Sequence, residues 1–168
     1  MSESDLESLR RLKYRYLRTL DLKQWDEFAT TLAPDVTGTY GERLSVTGRE
    51  ALVTYMREQL GPEVITVHTC HHPEIEVDGD RATGIWALED TVIVPTMQVL
   101  LQGAAFYEDR YVRGEGGSWL IAHTGYVRTY EAMVSLRDLP SFRLTANRWT
   151  AAAVPADVGT TDPGATKV

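Results

Sequence analysis

The sequence contains a single cysteine, Cys70, in 168 residues. This excludes a disulfide within the chain and leaves little room for a cysteine-based zinc site. No apolar run approaches the length of a membrane span, and the N-terminal segment MSESDLESLRRLKY lacks the apolar core of a secretory signal. These absences predict a protein of the reducing cytoplasm with no membrane partner.

Positive charge is scarce relative to negative charge. The chain has 17 Lys and Arg against 24 Asp and Glu, which gives a formal net charge of -7. A protein that binds nucleic acid needs a basic surface, so this balance argues against a nucleic-acid partner.

The length and composition favour one globular domain. Apolar residues make up 43% of the chain, which is enough for a proper core. We assign residues 1–149 to this domain. The remainder, 150–168, is rich in small residues and poor in large apolar ones. That composition predicts a disordered C-terminal tail.

The pattern of apolar residues predicts helices first and strands afterwards. Helical spacing in SESDLESLRRLKYRYLRTLDLKQW predicts a long helix, and its basic stretch RRLKYRYLR is interpreted as a solvated face. Two further helices are predicted in WDEFATTLAPDV, ended by Pro34, and in GREALVTYMREQLG. The later segments are rich in Val, Ile, Thr, Tyr and Trp and are separated by the turns DGD and GEGGS. The sequence therefore predicts an α+β fold in which a curved antiparallel sheet packs on N-terminal helices.

Three of the four histidines lie within five residues, in the segment HTCHH. If residues 78–80 form a three-residue loop, the flanking strands pair so that His68 lies directly opposite Asp90 and His72 opposite Trp86. Opposite side chains lie on one face about 5 Å apart at Cβ, so His68 and Asp90 could form a hydrogen bond. Pro73 cannot donate to the ladder, and a bulge there would shift the register by one residue.

The histidines allow three interpretations. His68 could be a general base, a buried structural histidine, or part of a metal site with His71 and His72. Neighbouring residues of a strand point to opposite faces, which makes a shared metal ion difficult for the last two. We therefore predict no metal site, while spacing alone leaves open whether His68 is a base or a core residue.

Several segments resemble the SnoaL-like branch of the NTF2-like superfamily, and within it the bacterial bile acid 7α-dehydratases. They are YRYLRTLDLKQWDEFATTLAPDV, HTCHHPEIEVDGDRATGIWALED, GAAFYEDRYVR and WLIAHTGYVRTYE, and the similarity extends over about residues 6 to 149. The resemblance implies a cone-shaped α+β barrel that encloses a steroid-sized cavity. It also implies a cofactor-free dehydratase that assembles as a homotrimer.

The resemblance further implies a set of site residues. The catalytic positions of the family match Tyr16, Asp21, His68 and Asp90, and Tyr40 and Arg128 match residues of the pocket. We add Trp86 as a residue that could contact a ligand.

The expected roles follow from elimination of water next to a conjugated ketone. His68 would be the base, oriented by Asp90, and Tyr16 would donate to the carbonyl or to the leaving hydroxyl. Asp21 would support Tyr16 or act as a second acid or base. Arg128 would anchor a carboxylate or orient Asp90.

The substrate and the reaction are not fixed by these residues. The segment EDTVIVPTMQVLLQGAAF, expected at the cavity mouth, is more apolar than its counterpart in the dehydratases. The same scaffold also serves isomerases, polyketide cyclases and epoxide hydrolases, and it serves proteins that only bind hydrophobic ligands. Our preferred hypothesis is a lyase acting on a small hydrophobic substrate of the steroid or polyketide type.

Overall fold

The computed structural model describes residues 3–41 and 44–149, and the tail predicted at 150–168 lies outside this range. The three helices are α1 (Glu3–Asp21), α2 (Trp25–Ala29) and α3 (Arg49–Gln59). The six strands are β1 (Leu32–Tyr40), β2 (Leu44–Thr47), β3 (Ile65–Asp78), β4 (Arg81–Val94), β5 (Val99–Arg113) and β6 (Trp119–Ser135). The predicted α+β architecture is confirmed.

The strands form one curved sheet in the order β2-β1-β6-β5-β4-β3. The predicted meander is present, since β3, β4, β5 and β6 pair successively in antiparallel fashion. The sheet as a whole is mixed, however, because β1 pairs with β6 in parallel. The predicted curved antiparallel sheet is thus present in β3 to β6, and the parallel junction of β1 with β6 was not foreseen.

The second helix is shorter than predicted. It ends at Ala29, and Pro34 lies within β1 instead of closing the helix. The pairing between β1 and β6 is irregular between Leu32 and Thr37. A proline has no amide hydrogen to donate, so it is tolerated in a strand where the hydrogen-bond ladder is interrupted.

The hairpin between β3 and β4 contains a bulge at the predicted place. The turn has two residues, since Asp78 pairs with Arg81, and the register shifts between His71 and Glu74. The bulge adds one residue to β3, which offsets the turn being one residue shorter than predicted. His68 is therefore paired with Asp90, as predicted. His72 lies inside the bulge with a positive φ of 43° and does not pair with Trp86 as predicted.

Helix α1 packs its apolar side into the concave face of the sheet. Leu9, Tyr16 and Leu20 are buried in one cluster together with Trp86 and Tyr107 of the sheet. The basic stretch of α1 is not entirely a solvated face, because the Lys13 side chain is completely buried. Within the described part of the chain, no helix is long and apolar enough to cross a membrane.

Candidate active site

Asp21 and His68 form a hydrogen-bonded pair between the last residue of α1 and the inner face of β3. The Oδ1 atom of Asp21 lies 2.6 Å from Nδ1 of His68 and accepts a 2.8 Å hydrogen bond from the Thr66 hydroxyl. Its Oδ2 atom accepts the backbone N–H of His68 at 2.9 Å. The carboxylate is thereby fixed at three points, and it holds one nitrogen of the imidazole.

This pairing fixes the tautomer of His68. With Nδ1 donating to a carboxylate, Nε2 carries the lone pair and is the ring nitrogen that can accept a proton. The side chain is only 10% exposed, so the imidazole is largely shielded from bulk water. These are the properties of an oriented general base.

Asp90 has a different partner from the one predicted. Although Asp90 is paired with His68 in the sheet, its two oxygens accept hydrogen bonds from Nη1 and Nη2 of Arg128, at 2.5 and 2.8 Å. Nε of Arg128 faces Glu131 at 3.2 Å. The carboxylate of Asp90 raises the pKa of Arg128 by this hydrogen bonding. Arg128 thus contacts both oxygens of Asp90, whereas the carboxylate hydrogen-bonded to His68 is Asp21 and not Asp90.

Asp21 and not Asp90 bonds His68 because of where α1 ends. Strand register predicts which residues face each other within a sheet, but it does not predict the position of a helix end above that sheet. Asp21 reaches His68 from above the sheet, and Arg128 reaches Asp90 from β6, across β5. The expected support of Tyr16 by Asp21 is replaced by the contacts of Asp21 with Thr66 and His68.

Tyr16 and Tyr40 bring two phenols together. Their hydroxyl oxygens lie 3.4 Å apart, and either can be the donor. Tyr16 is completely buried, and burial raises its pKa above the ordinary value. Burial also raises the pKa of Tyr40. Because one mutual hydrogen bond uses a single phenolic proton, the other remains available as a neutral donor.

Tyr126 connects the phenols with the ion pair. Its ring centroid lies 5.5 Å from that of Tyr40, and the guanidinium of Arg128 lies 4.9 Å from the Tyr126 ring. Sequence analysis did not single out Tyr126. Its position two residues before Arg128 on one strand was the available signal, since alternate residues share a face.

These residues form an open ring on the concave face. Contacts join Tyr16 through Tyr40 and Tyr126 to Arg128 and Asp90, and they join His68 to Asp21. The two parts are neighbours because Asp90 and His68 are register partners and Tyr16 and Asp21 are both on α1. Six of the seven residues expected at the site are therefore brought together: Tyr16, Asp21, Tyr40, His68, Asp90 and Arg128.

Trp86 is the residue that the structure places elsewhere. It lies four positions before Asp90 on β4, which is about 13 Å along the strand. Its side chain is buried, and its indole N–H donates a 2.8 Å hydrogen bond to the Tyr111 hydroxyl. Trp86 therefore belongs to the core behind the ring.

Two of the other three histidines have identifiable polar partners. His123 Nδ1 lies 2.7 Å from the Thr37 hydroxyl, and burial lowers the pKa of this imidazole. His71 faces Glu89 at 3.8 Å on the surface. Within residues 3–41 and 44–149, no three His, Cys, Asp or Glu side chains are arranged to hold a metal ion.

An apolar row borders the ring on the open side. Asp90, Gly103 and Glu131 form one row of register partners across the sheet. Two residues further along each strand, the next row on the same face is Val92, Leu101 and Met133. Val92 and Leu101 are half-buried, whereas Met133 is 71% exposed. The open end of the concave face therefore offers an apolar surface next to the polar ring.

Comparison with known proteins identifies the fold. The SnoaL-like domain model matches residues 2–125. A putative scytalone dehydratase from Novosphingobium aromaticivorans superposes with a TM-score of 0.71 at 19% identity, over 77% of this chain and 87% of that one. The type 3 hexachlorocyclohexane dehydrochlorinase LinA from Novosphingobium barchaimii superposes with a TM-score of 0.71 at 18% identity, over 79% of this chain and 91% of that one. At such identities these structures establish a shared architecture.

Proposed function

Since the chain belongs to the SnoaL-like family, we propose that it is a lyase, a dehydratase that eliminates water from a hydroxylated hydrophobic substrate. The steroid-like and polyketide-like alcohols are the substrate classes we favour, and a bile-acid-type steroid is the first candidate. The observation that carries the proposal is the pair formed by His68 Nδ1 and Asp21 Oδ1 at 2.6 Å. It leaves Nε2 as an oriented base at the edge of an apolar surface.

The proposed base removes a proton from the carbon next to the carbonyl group. In a substrate with a ketone next to the reacting carbon, Nε2 of His68 takes the acidified C–H proton and the electron pair moves onto the carbonyl oxygen. Asp21 stabilises the imidazolium that results. No group beyond the side chains of the site is part of this step.

The phenols supply donors for the oxygen atoms. Tyr16 and Tyr40 keep their protons well beyond neutral pH, because burial raises the pKa of both. A neutral phenol can donate to the developing enolate or to the leaving hydroxyl. When the enolate collapses, the carbon–oxygen bond of the hydroxyl breaks, and that oxygen leaves as water after gaining a proton.

Arg128 and Asp90 act together in this proposal. Both oxygens of Asp90 accept from Arg128, and Arg128 also faces Glu131. A guanidinium so paired is a fixed wall of the site and not a free anchor for a substrate carboxylate. We therefore expect the part of the substrate near Arg128 to be uncharged.

Two comparisons widen the range of candidate substrates. One structural relative is a scytalone dehydratase by name, and others are dehydrochlorinases. Both names describe eliminations, one of water and one of hydrogen chloride, so a chlorinated ring is our second substrate class. Isomerases and epoxide hydrolases of the same fold, and proteins that only bind hydrophobic ligands, are the alternatives to be tested.

We also propose that the protein is a homo-oligomer, with a trimer as the first candidate. The outer face of the sheet exposes Val67, Phe106 and Val127, with 54%, 53% and 72% of each residue accessible. Light scattering on the purified chain gives the mass of the assembly directly. A monomer at micromolar concentration would exclude the trimer.

The test of function is direct. The protein is incubated with a 7α-hydroxy-3-oxo-4-ene steroid, as the free acid and as the CoA ester, and with a hexachlorocyclohexane. Dienone absorbance and product mass report elimination, and His68→Ala is run in parallel. Product with the wild type and none with a folded His68→Ala establishes the elimination and its base. Tight binding without any product in the whole panel favours a binding protein.

A further inference from the structure

The ion pair between Arg128 and Asp90 crosses an entire strand. Arg128 is on β6 and Asp90 is on β4, and β5 lies between them. The residue of β5 beneath the guanidinium is Gly103, which is the register partner of Asp90. The side chain of Arg128 can therefore lie flat over β5 only where β5 has no side chain on this face.

Gly103 meets this requirement by its lack of a Cβ. A Cβ built at this position would overlap Nη1 of Arg128, and would lie 3.0 Å from Cζ of Arg128 and from Oδ1 of Asp90. Glycine in the interior of a strand weakens the strand, so a close approach of other atoms is a common reason for its presence. Here the atoms that approach are both partners of the ion pair.

Two carboxylates are within reach of one imidazole at this site. Asp90 lies directly opposite His68 in the sheet, at about 5 Å between Cβ atoms for such a pair, and Asp21 approaches from α1. Asp21 bonds His68, whereas Arg128 donates to both oxygens of Asp90, which neutralises that carboxylate and holds it towards the guanidinium. The feature that lets Arg128 reach Asp90 therefore influences which carboxylate bonds His68.

We propose that Gly103 is a positioning residue, whose missing side chain lets Arg128 hold Asp90 and thereby assigns His68 to Asp21. The catalytic importance of this assignment rests on the proposed function, in which His68 is the base. The assignment itself is a property of the folded chain and can be measured without a substrate.

The charged and titratable groups around His68 define the expected effect. Asp21 at the end of α1 bonds the ring, and Asp90 on β4 is the register partner of His68 with Arg128 paired to it; Lys23 interacts with Asp21, and Cys70 lies two residues further along β3. Displacing Arg128 leaves Asp90 as an unpaired carboxylate next to the imidazole. An additional negative charge favours the protonated ring, so more hydroxide is needed to deprotonate it.

The experiment is an NMR titration of the His68 imidazole in the full-length chain, alone and with Gly103→Ala. The chain has four histidines, so His68→Gln assigns the resonance by its loss. We expect the titration midpoint in Gly103→Ala to rise by about 1 pH unit, because an opposite charge at this distance has effects of that size. Adding Asp90→Asn to Gly103→Ala should restore the wild-type midpoint.

The control is Gly61→Ala, where an added Cβ has no heavy atom within 4 Å. Its titration should match the wild type. An unchanged midpoint in folded Gly103→Ala would overturn the proposal, as would a raised midpoint that persists after Asp90→Asn. If Gly103→Ala does not fold, the proposal requires that adding Arg128→Ala together with Asp90→Ala, which removes both groups that the new Cβ approaches, restores folding, and failure to restore it would also overturn it.

The same variants separate this proposal from the proposed function. If the wild type eliminates water, the acid limb of its kcat/KM profile should move to higher pH in Gly103→Ala and return with Asp90→Asn. If no substrate turns over but the NMR midpoint shifts as expected, the positioning role stands and the dehydratase proposal fails.

Discussion

Nδ1 of His68 lies 2.6 Å from Oδ1 of Asp21, and the two residues are 47 positions apart in the chain. The contact joins the end of α1 to the third strand, so the imidazole of His68 is oriented by a helix and not by its own sheet. Asp90 meanwhile forms an ion pair with Arg128 and has 3% of its side chain exposed. The site thus contains two carboxylates with different roles, and these roles can be separated by substitution.

Asp21→Asn should reduce kcat strongly. An asparagine can present its amide N–H to Nδ1, which would stabilise the tautomer with the proton on Nε2, and that tautomer cannot act as the base. We expect a fall in kcat of about 10²- to 10⁴-fold, the usual range for loss of an acid–base contribution. Initial rates on the substrate identified by the incubation panel provide the measurement.

Asp90→Asn is the informative comparison for Asp21→Asn. It preserves the His68 to Asp21 bond but removes the buried carboxylate that holds Arg128, leaving only the half-exposed Glu131, so we expect a lower thermal stability together with a smaller effect on kcat. Equal losses of kcat in the two variants would contradict the division of roles.

The position of the histidine opposite Asp90 could be predicted from the sequence because strand pairing follows from turns and alternation. The assumed loop of three residues was one residue too long, and the bulge near Pro73 compensated the difference. The register at His68 therefore depends on two local features, the turn and the bulge. The sequence indicates the first by DGD and the second by Pro73.

The partner of His68 could not be predicted in this way. It depends on where the end of α1 lies over the sheet, which is set by the packing of the whole helix. The burial of Lys13 was missed for the same reason: a lysine in a basic helix is usually solvated, and only the position of Asp109 on β5 explains why this one is not.

The pair of Lys13 and Asp109 should be sensitive to loss of either partner. Their charged atoms lie 2.7 Å apart with both side chains fully buried, and Tyr111 donates a further hydrogen bond to Asp109. Asp109→Asn leaves an unpaired ammonium in the core, so we expect it to lower the free energy of unfolding by about 3–5 kcal/mol. Urea denaturation followed by circular dichroism measures this loss.

Replacing both members of the pair tests the cause of that loss. The double variant Lys13→Met with Asp109→Leu removes both buried charges, and it should be more stable than Asp109→Asn alone. Glu7→Gln at the exposed pair of Glu7 and Arg11 serves as the surface control and should change stability little. A double variant no more stable than Asp109→Asn would show that packing, and not charge, explains the loss.

Trp86→Phe should separate a core role from a ligand-binding role. The change removes the hydrogen bond to Tyr111, so we expect the free energy of unfolding to fall by about 1–2 kcal/mol while kcat/KM stays unchanged. Denaturation and steady-state kinetics on the same preparation give both values. A rise in KM without loss of stability would show that Trp86 contacts the substrate.

The buried phenols predict how stability depends on pH in the alkaline range. Burial raises the pKa of Tyr16, Tyr40 and Tyr107 above that of a free tyrosine, about 10. Above that pH the unfolded chain loses phenolic protons that the folded chain retains, so the free energy of unfolding must decrease as pH rises. Each retained proton should lower it by about 1.4 kcal/mol at pH 11 relative to neutral pH.

Tyr16→Phe should therefore flatten this alkaline decline, because one retained proton is removed from the comparison. Tyr130→Phe is the matched control, since that residue is 54% exposed, and it should decline as steeply as the wild type. Urea denaturation at neutral pH and at about pH 11 gives the difference for each variant. If Tyr16→Phe and Tyr130→Phe decline in parallel, the phenol of Tyr16 ionises freely in the folded state. It could then not serve as the neutral donor that the elimination requires.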